Sequence, residues 1–202
     1  MSDENWYRNC DWTPEIESAF TQRIGKARAQ KAQYLMLQGQ ALISRHPDVA
    51  ARLLRQSIAL ENEFHLNQAN CYLGLAELAS GNVDAALTAY EAALEAQLRF
   101  PFVRTGAPLD YAFAVAWFAR SERYEAALQI LEAVKPSVFP GADFQVHSAH
   151  ALILADLGSE NDARTKAHSA LATFPDAVDA SWGGVDTAEL RERLRSIAAL
   201  TA

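Results

Sequence analysis

Cysteine is scarce: Cys10 and Cys71 are two thiols in 202 residues, too few for a disulfide framework. The scarcity fits a reducing compartment, and both read as packing residues. Long apolar runs are missing too. The longest, residues 111–119, is far too short to span a bilayer, so no membrane association is expected. Basic residues are outnumbered 18 to 25 by acidic ones, for a formal charge of −7. Such a field repels phosphate backbones, which makes nucleic acid a poor partner and a basic or neutral one a good partner. Met1-Ser2-Asp3-Glu4-Asn5-Trp6 has neither the basic start nor the apolar core of a signal peptide. The expectation is a soluble cytoplasmic protein. Catalytic signatures are also missing: there is no nucleophile elbow, phosphate loop, dinucleotide fingerprint or zincin motif, and Gly106-Ala107-Pro108 and Gly183-Gly184 are too short to cradle phosphate. No catalytic residue, metal ligand or cofactor is expected, and the chain reads as a non-enzyme.

What is present is a hydrophobic half, with 9 Gly and 7 Pro, enough for one sizeable core or a short repeat array in a single domain over 1–202. Trp6, Tyr7 and Trp12 mark an N-terminal segment pinned by its indoles. Thr13-Pro14-Glu15 opens a helix: Thr13 can cap free amides, Pro14 has its φ preset, and Glu15 and Glu17 favour the positive end. Phe20, Ile24, Ala27, Tyr34, Leu35, Gln38 and Leu42 continue at helical spacing, so one long helix or two collinear ones fill 14–44. Arg23, Lys26, Arg28 and Lys31 are its basic residues, spread over more than one face as a solvated surface would have them, the sharper alternative being a local site for an acidic partner. After Pro47, the positions Ala50, Leu53, Leu54, Ser57 and Ile58 give a second helix to about 60.

The best-defined stretch is residues 68–97. Helix A is expected over 65–80 and helix B over 83–97, joined by Gly81-Asn82-Val83-Asp84. Gly81 can close the open carbonyls in a left-handed conformation, and Asn82 or Asp84 can cap the next helix. Gly74, Ala86 and Ala93 are small where two antiparallel helices come close, while Leu73, Leu87, Tyr90 and Leu94 fill the gaps beside them.

Leu73, Gly74, Gly81, Ala86, Tyr90 and Ala93 make this stretch resemble the tetratricopeptide repeat, whose helical hairpins stack in series. Asn70 replaces the family's usual aromatic and Leu98 its proline. Two weaker copies follow. In one, 111–120 is helix A, and Tyr124, Ala127, Leu128, Leu131 and Val134 form helix B, closed by Pro136. In the other, 147–157 ends at Gly158, and Ala163, Ala167, Ala170 and Leu171 form helix B before Pro175. The extra residues fall in loops 99–108 and 136–141. A polar linker over 176–184, with Trp182, leads to a last helix capped by Asp186 and carrying Leu190, Leu194, Ile197 and Leu200, which would seal the array. The resemblance implies an all-α fold: antiparallel hairpins over 48–175 stacked as a short right-handed solenoid, a long N-terminal helix within 1–47, and a capping helix within 176–202.

In this family the A helices line a concave groove. By that resemblance the groove positions are Gln68, Cys71, Tyr72, Leu75, Leu78 and Ala79, then Leu109, Ala112, Phe113, Ala116, Ala119 and Arg120, then Gln145, Ser148, Ala149, Leu152, Ala155 and Asp156. The Lys, Asn and Arg that other members use to clamp chaperone carboxylate tails are missing. Residues 111–119 are apolar on every side, as in a helix buried all round, so the groove is expected to be covered. The cover is the chain's own N- or C-terminal helix, a second copy, or a partner's amphipathic helix.

The leading expectation is a protein-interaction module of the bacterial immunity or adaptor type. Its partner is a protein or peptide that is basic or presents an apolar helix. Tyr72, Leu75, Leu78, Arg104, Phe113, Arg120, Leu152 and Asp156 are the candidate contact residues, together with loop 99–108. Two rivals stand beside it. One is an enzyme or metal protein using His147 and His150, three apart on a helix, with Asp143 or His168. The other is a self-associating homodimer.

Overall fold

The computed structural model describes residues 5–134, 140–174 and 185–200. All regular structure among these residues is helical, with no strand. The chain divides into two compact units, Met1–Ala107 and Pro108–Ala202.

The first unit holds α1 (Pro14–Lys26), α2 (Lys31–Leu42), α3 (Pro47–Ile58), α4 (Glu63–Ala79) and α5 (Val83–Arg99). Thr13 caps α1 as its sequence predicts, its hydroxyl accepting from Ile16 N at 3.4 Å. Of the two alternatives for 14–44, the structure has two helices: Ala27 turns extended and α2 starts anew at Lys31. Trp6 lies 5.5 Å from Phe20 and 5.0 Å from Tyr34, and Trp12 lies 5.5 Å from Phe20, so the indoles fasten the leading segment to both helices. Gln38, wholly buried, completes the attachment by accepting from Asn9 N and donating to Asn9 O. Cys10 is exposed and Cys71 buried, so only the second acts as a packing residue.

Two hairpins, α2/α3 and α4/α5, pack in series, with α3 against α4. Each closes through a glycine. A Cβ on Gly74 would meet the Tyr90 ring at 2.4 Å, and one on Gly39 would meet Leu54 Cγ at 2.7 Å. Gly81, at φ +80°, ends α4 with the paired bonds Asn82 N to Glu77 O and Gly81 N to Leu78 O, which satisfy two carbonyls left open by the helix. Asn82 does not cap α5 with its side chain. It donates instead to the buried Glu77 carboxylate at 3.0 Å, which Arg55 also engages.

The second unit holds α6 (Ala107–Trp117), a 3-10 turn (Ser121–Arg123), α7 (Tyr124–Ala133), α8 (Pro140–Asp156), α9 (Glu160–Ala172) and α10 (Thr187–Ala198). α6 ends three residues earlier than its sequence suggests, because Ala119 adopts φ +51°. The pairs Arg120 N to Val115 O with Ala119 N to Ala116 O, and Ser159 N to Leu154 O with Gly158 N to Ala155 O, repeat the closure seen at Gly81. From Tyr111 to Trp117 every residue is buried, as an all-apolar helix requires. α10 packs on α9 and, less extensively, on α8, so it seals the α8/α9 hairpin. Asp186 caps it by accepting from Ala188 N at 2.8 Å and Glu189 N at 3.2 Å.

The second helices carry one buried pattern at i, i+4, i+7. It reads Ala50, Leu54, Ser57 in α3, then Ala86, Tyr90, Ala93 in α5, and Ala163, Ala167, Ala170 in α9. In α7 Ala127 and Leu131 are buried, and Val134, just past its end, is half-buried. The hairpins are therefore structural repeats of one kind, and α3 belongs to the series. Pro175 and the 176–184 linker with Trp182 lie outside the described residues.

Candidate functional site

The second unit contains a cleft of about 560 Å³ between α6, α8 and α10, lined by Ala116, Ala119, Tyr124, Leu152, Ala155, Asp156 and one stripe of α10. Five of these, Ala116, Ala119, Leu152, Ala155 and Asp156, are groove positions expected from the repeat pattern. The floor is apolar and the rim is charged. Helical spacing supplies the α10 stripe: Glu189, Glu192, Arg193, Ser196 and Ile197 stand at i, i+3, i+4, i+7 and i+8. Leu190 and Leu194, wholly buried, fix the adjacent face of that helix to the core.

Arg193 organises one end of the cleft. Its guanidinium lies 4.3 Å from the centroid of the Trp117 ring, donates to Trp117 O at 3.4 Å and pairs with Glu189 at 2.5 Å. Arg191 makes the matching contact on the other side of α10, 4.0 Å over the Phe174 ring. Glu192 is paired with Arg195 at 2.5 Å. At the other end the Tyr124 hydroxyl donates to Asp156 Oδ2 at 2.7 Å. Burial first, and then the bond and negative charge of Asp156, push the Tyr124 phenol above its usual range. It is a fixed donor and is poorly suited to act as a base.

Further along α8, Gln145 Nε2 donates to Asp110 Oδ1 of α6 at 3.1 Å. Burial raises the Asp110 carboxyl to about 6, against the opposing pull of that bond. His147 and His150 do lie on one helix. His150 Nδ1 stands 3.0 Å from Val146 O, and both imidazoles are shifted down, chiefly by burial and less by Lys166. Among the described residues no group of three or more His, Cys, Asp or Glu side chains is placed to hold a metal ion.

Of the candidate contact residues, Leu152 and Asp156 come together in the cleft, Leu152 half-buried on the floor and Asp156 exposed at the rim. Phe113 is buried, stacked on Trp117 at 6.5 Å and 8°, so it supports the site from within. Arg120 is half-buried with its Nε enclosed. In the first unit Leu78 is buried and Leu75 half-buried, while Tyr72 packs on that unit's core and accepts from Gln68 Nε2 at 2.9 Å. Arg104 is exposed on the loop, which runs over 100–106 because α5 continues to Arg99 and α6 starts at Ala107. That loop is pinned: Asn67 Nδ2 donates to Val103 O at 2.6 Å and Thr105 N to Gln97 Oε1 at 3.2 Å. Phe102 stands out from it, 97% exposed.

Tyr124 and the α10 residues are parts of the cleft that the repeat pattern does not indicate. The i, i+3, i+4, i+7 spacing of Glu189, Glu192, Arg193 and Ser196 was the available signal, masked by the stronger apolar stripe beside it. Among the described residues no helix is long and apolar enough to cross a membrane. No protein-family model, curated protein or solved structure matches this chain.

Proposed function

We propose that this chain is a non-enzymatic binding protein, akin to tetratricopeptide-repeat proteins, that takes a segment of a cognate protein in the α6/α8/α10 cleft. The observation that carries this reading is the cleft itself: an apolar floor at the predicted groove positions Ala116, Leu152 and Ala155, rimmed by Asp156, Glu189 and Glu192. A concave apolar surface with a few convergent polar groups is where proteins take ligands. The stacked hairpins supply a rigid frame, and the negative field of the whole chain steers a basic partner toward it. Tyr124 held protonated, and carboxylates already matched by arginines, suit recognition better than proton transfer. A cytoplasmic protein of the bacterial immunity or adaptor type, dedicated to one cognate protein, fits this design. The pinned loop with Arg104 and Phe102 is a second contact surface on the same reading.

Affinity capture from the native host tests it. The full chain should retain one stoichiometric protein, and Ala155→Arg, which fills the cleft and places a cation beside Asp156, should lose it while melting like the parent. Retention of no stoichiometric protein, or equal retention by the variant, overturns the reading.

A further inference from the structure

We propose that the cleft is built to seat a lysine side chain carried on an apolar segment of the partner, with Asp156 as its anchor. This rests on the cleft being the binding site and names the group it selects. Three carboxylates reach the cleft, and two of them are already matched. Glu189 is held by Arg193 and Glu192 by Arg195, each at 2.5 Å. Asp156 has Tyr124 as its hydrogen-bond partner, and among the described residues no cation pairs with it. The cleft therefore presents one unmatched negative charge at the edge of an apolar floor.

The geometry of that charge points to an ammonium. Tyr124, buried at the start of α7, donates to Oδ2 and so fixes the carboxylate, and among the described residues no hydrogen bond engages Oδ1. A single presented oxygen suits a compact ammonium, whereas a guanidinium fork is best matched by both oxygens together. The four-carbon stem of lysine can lie along Ala116, Leu152, Ala155 and Ile197 while its head reaches the rim. The guanidinium seat in the same cleft, formed by the Trp117 ring, Trp117 O and Glu189, is filled by the chain's own Arg193. A partner's arginine would have to displace it, and a lysine would not.

Three small probes separate charge from stem: N-acetyl-lysine methylamide, N-acetyl-arginine methylamide and N-acetyl-norleucine methylamide. Each is titrated into the nitrogen-15-labelled full chain at low salt while the amides of Ala155, Asp156 and Ile197 are followed. The lysine probe should bind about fivefold more tightly than norleucine, the size of one partly exposed ion pair. It should also outbind the arginine probe. Asp156→Asn keeps the volume and an acceptor for Tyr124, so the variant should fold like the parent and bind lysine no better than norleucine. Arg193→Gln, which leaves Glu189 unmatched, should tighten lysine binding. Equal binding of lysine and norleucine, a preference for arginine, or a lysine preference that survives in Asp156→Asn overturns the proposal. The two readings fail separately: a captured partner lost by Ala155→Arg but held undiminished by Asp156→Asn sinks the lysine anchor and leaves the cleft as the site.

Discussion

At Ala119 a residue with a Cβ occupies the left-handed position that Gly81 and Gly158 fill at the equivalent helix ends, with φ +51° against +80° and +76°. The left-handed conformation costs an L-residue about 1–2 kcal/mol, part of which glycine returns through greater freedom in the unfolded chain. Ala119→Gly should therefore raise stability by about 0.5–1 kcal/mol in chemical denaturation. A lower midpoint would show that the closure is unstrained. Gly74→Ala should act the other way. Its Cβ would sit 2.4 Å from the ring of Tyr90, which is wholly buried and has no room to withdraw. Overpacking of about 1–3 kcal/mol outweighs the gain of about 1 kcal/mol in helix propensity, so the variant should melt lower. Asp110 supplies a third case. Its carboxyl, raised to about 6 by burial, holds a proton in the folded chain where the unfolded chain has lost it. The folded state binds more protons between pH about 4 and about 6, so its contribution favours folding at the acid end and is lost as pH rises through that window. Asp110→Asn should thus change stability little at pH 4 and raise it by about 2 kcal/mol at pH 7 relative to the parent. Parallel curves for parent and variant would sink this assignment.

At the scale of the element, the hairpins were legible wherever small and large residues alternate at helical spacing. Ala86, Tyr90 and Ala93 are wholly buried, as are Ala127, Ala163, Ala167 and Ala170. Ala86→Leu or Ala93→Leu should accordingly overpack α5 against α4 and cost about 1–3 kcal/mol, read as a lower melting temperature with helical content unchanged. The position of the break at Ala27 is not legible, because residues 27–30 carry no glycine or proline to announce it; Trp6 packs on Phe20 of α1 and on Tyr34 of α2 across that break. Gly39 carries no such signal, because one glycine inside an apolar period is locally just a weak helix former, yet its missing Cβ is what lets Leu54 approach. The cleft was half legible for a related reason. Periodicity places Leu152 and Asp156 on the first helix of a hairpin, but which neighbour faces them depends on where α10 docks, and that is set by long-range contacts. Those contacts are few and large: Leu190 and Leu194 are wholly buried, and Arg191 and Arg193 each lie over an aromatic ring. Leu194→Ala should cost about 2–5 kcal/mol, more than Arg193→Ala, whose ring contact and exposed ion pair contribute about 1 kcal/mol.

On the scale of the whole molecule, the binding proposed for the cleft would make charge the first selector of what arrives there. The formal charge is −7, and the unmatched Asp156 places part of that charge at the cleft. Long-range steering of this kind acts on the encounter rate and weakens as salt shortens its range from about 10 Å at 0.1 M to about 3 Å at 1 M. A short fluorescent peptide of alternating lysine and leucine should therefore bind the full chain at low salt, and its association rate should fall steeply with added sodium chloride. Its dissociation rate should change less, because that rate reports the apolar contacts with Leu152, Ala155 and Ile197. A glutamate–leucine peptide of equal length and a short labelled duplex DNA should not bind, since both meet a like-charged surface. Binding of the acidic peptide as tightly as the basic one would show that the apolar floor acts without the carboxylates. Loss of the basic peptide's salt dependence in Asp156→Asn alone would place the steering charge at the cleft rather than in the field of the whole chain.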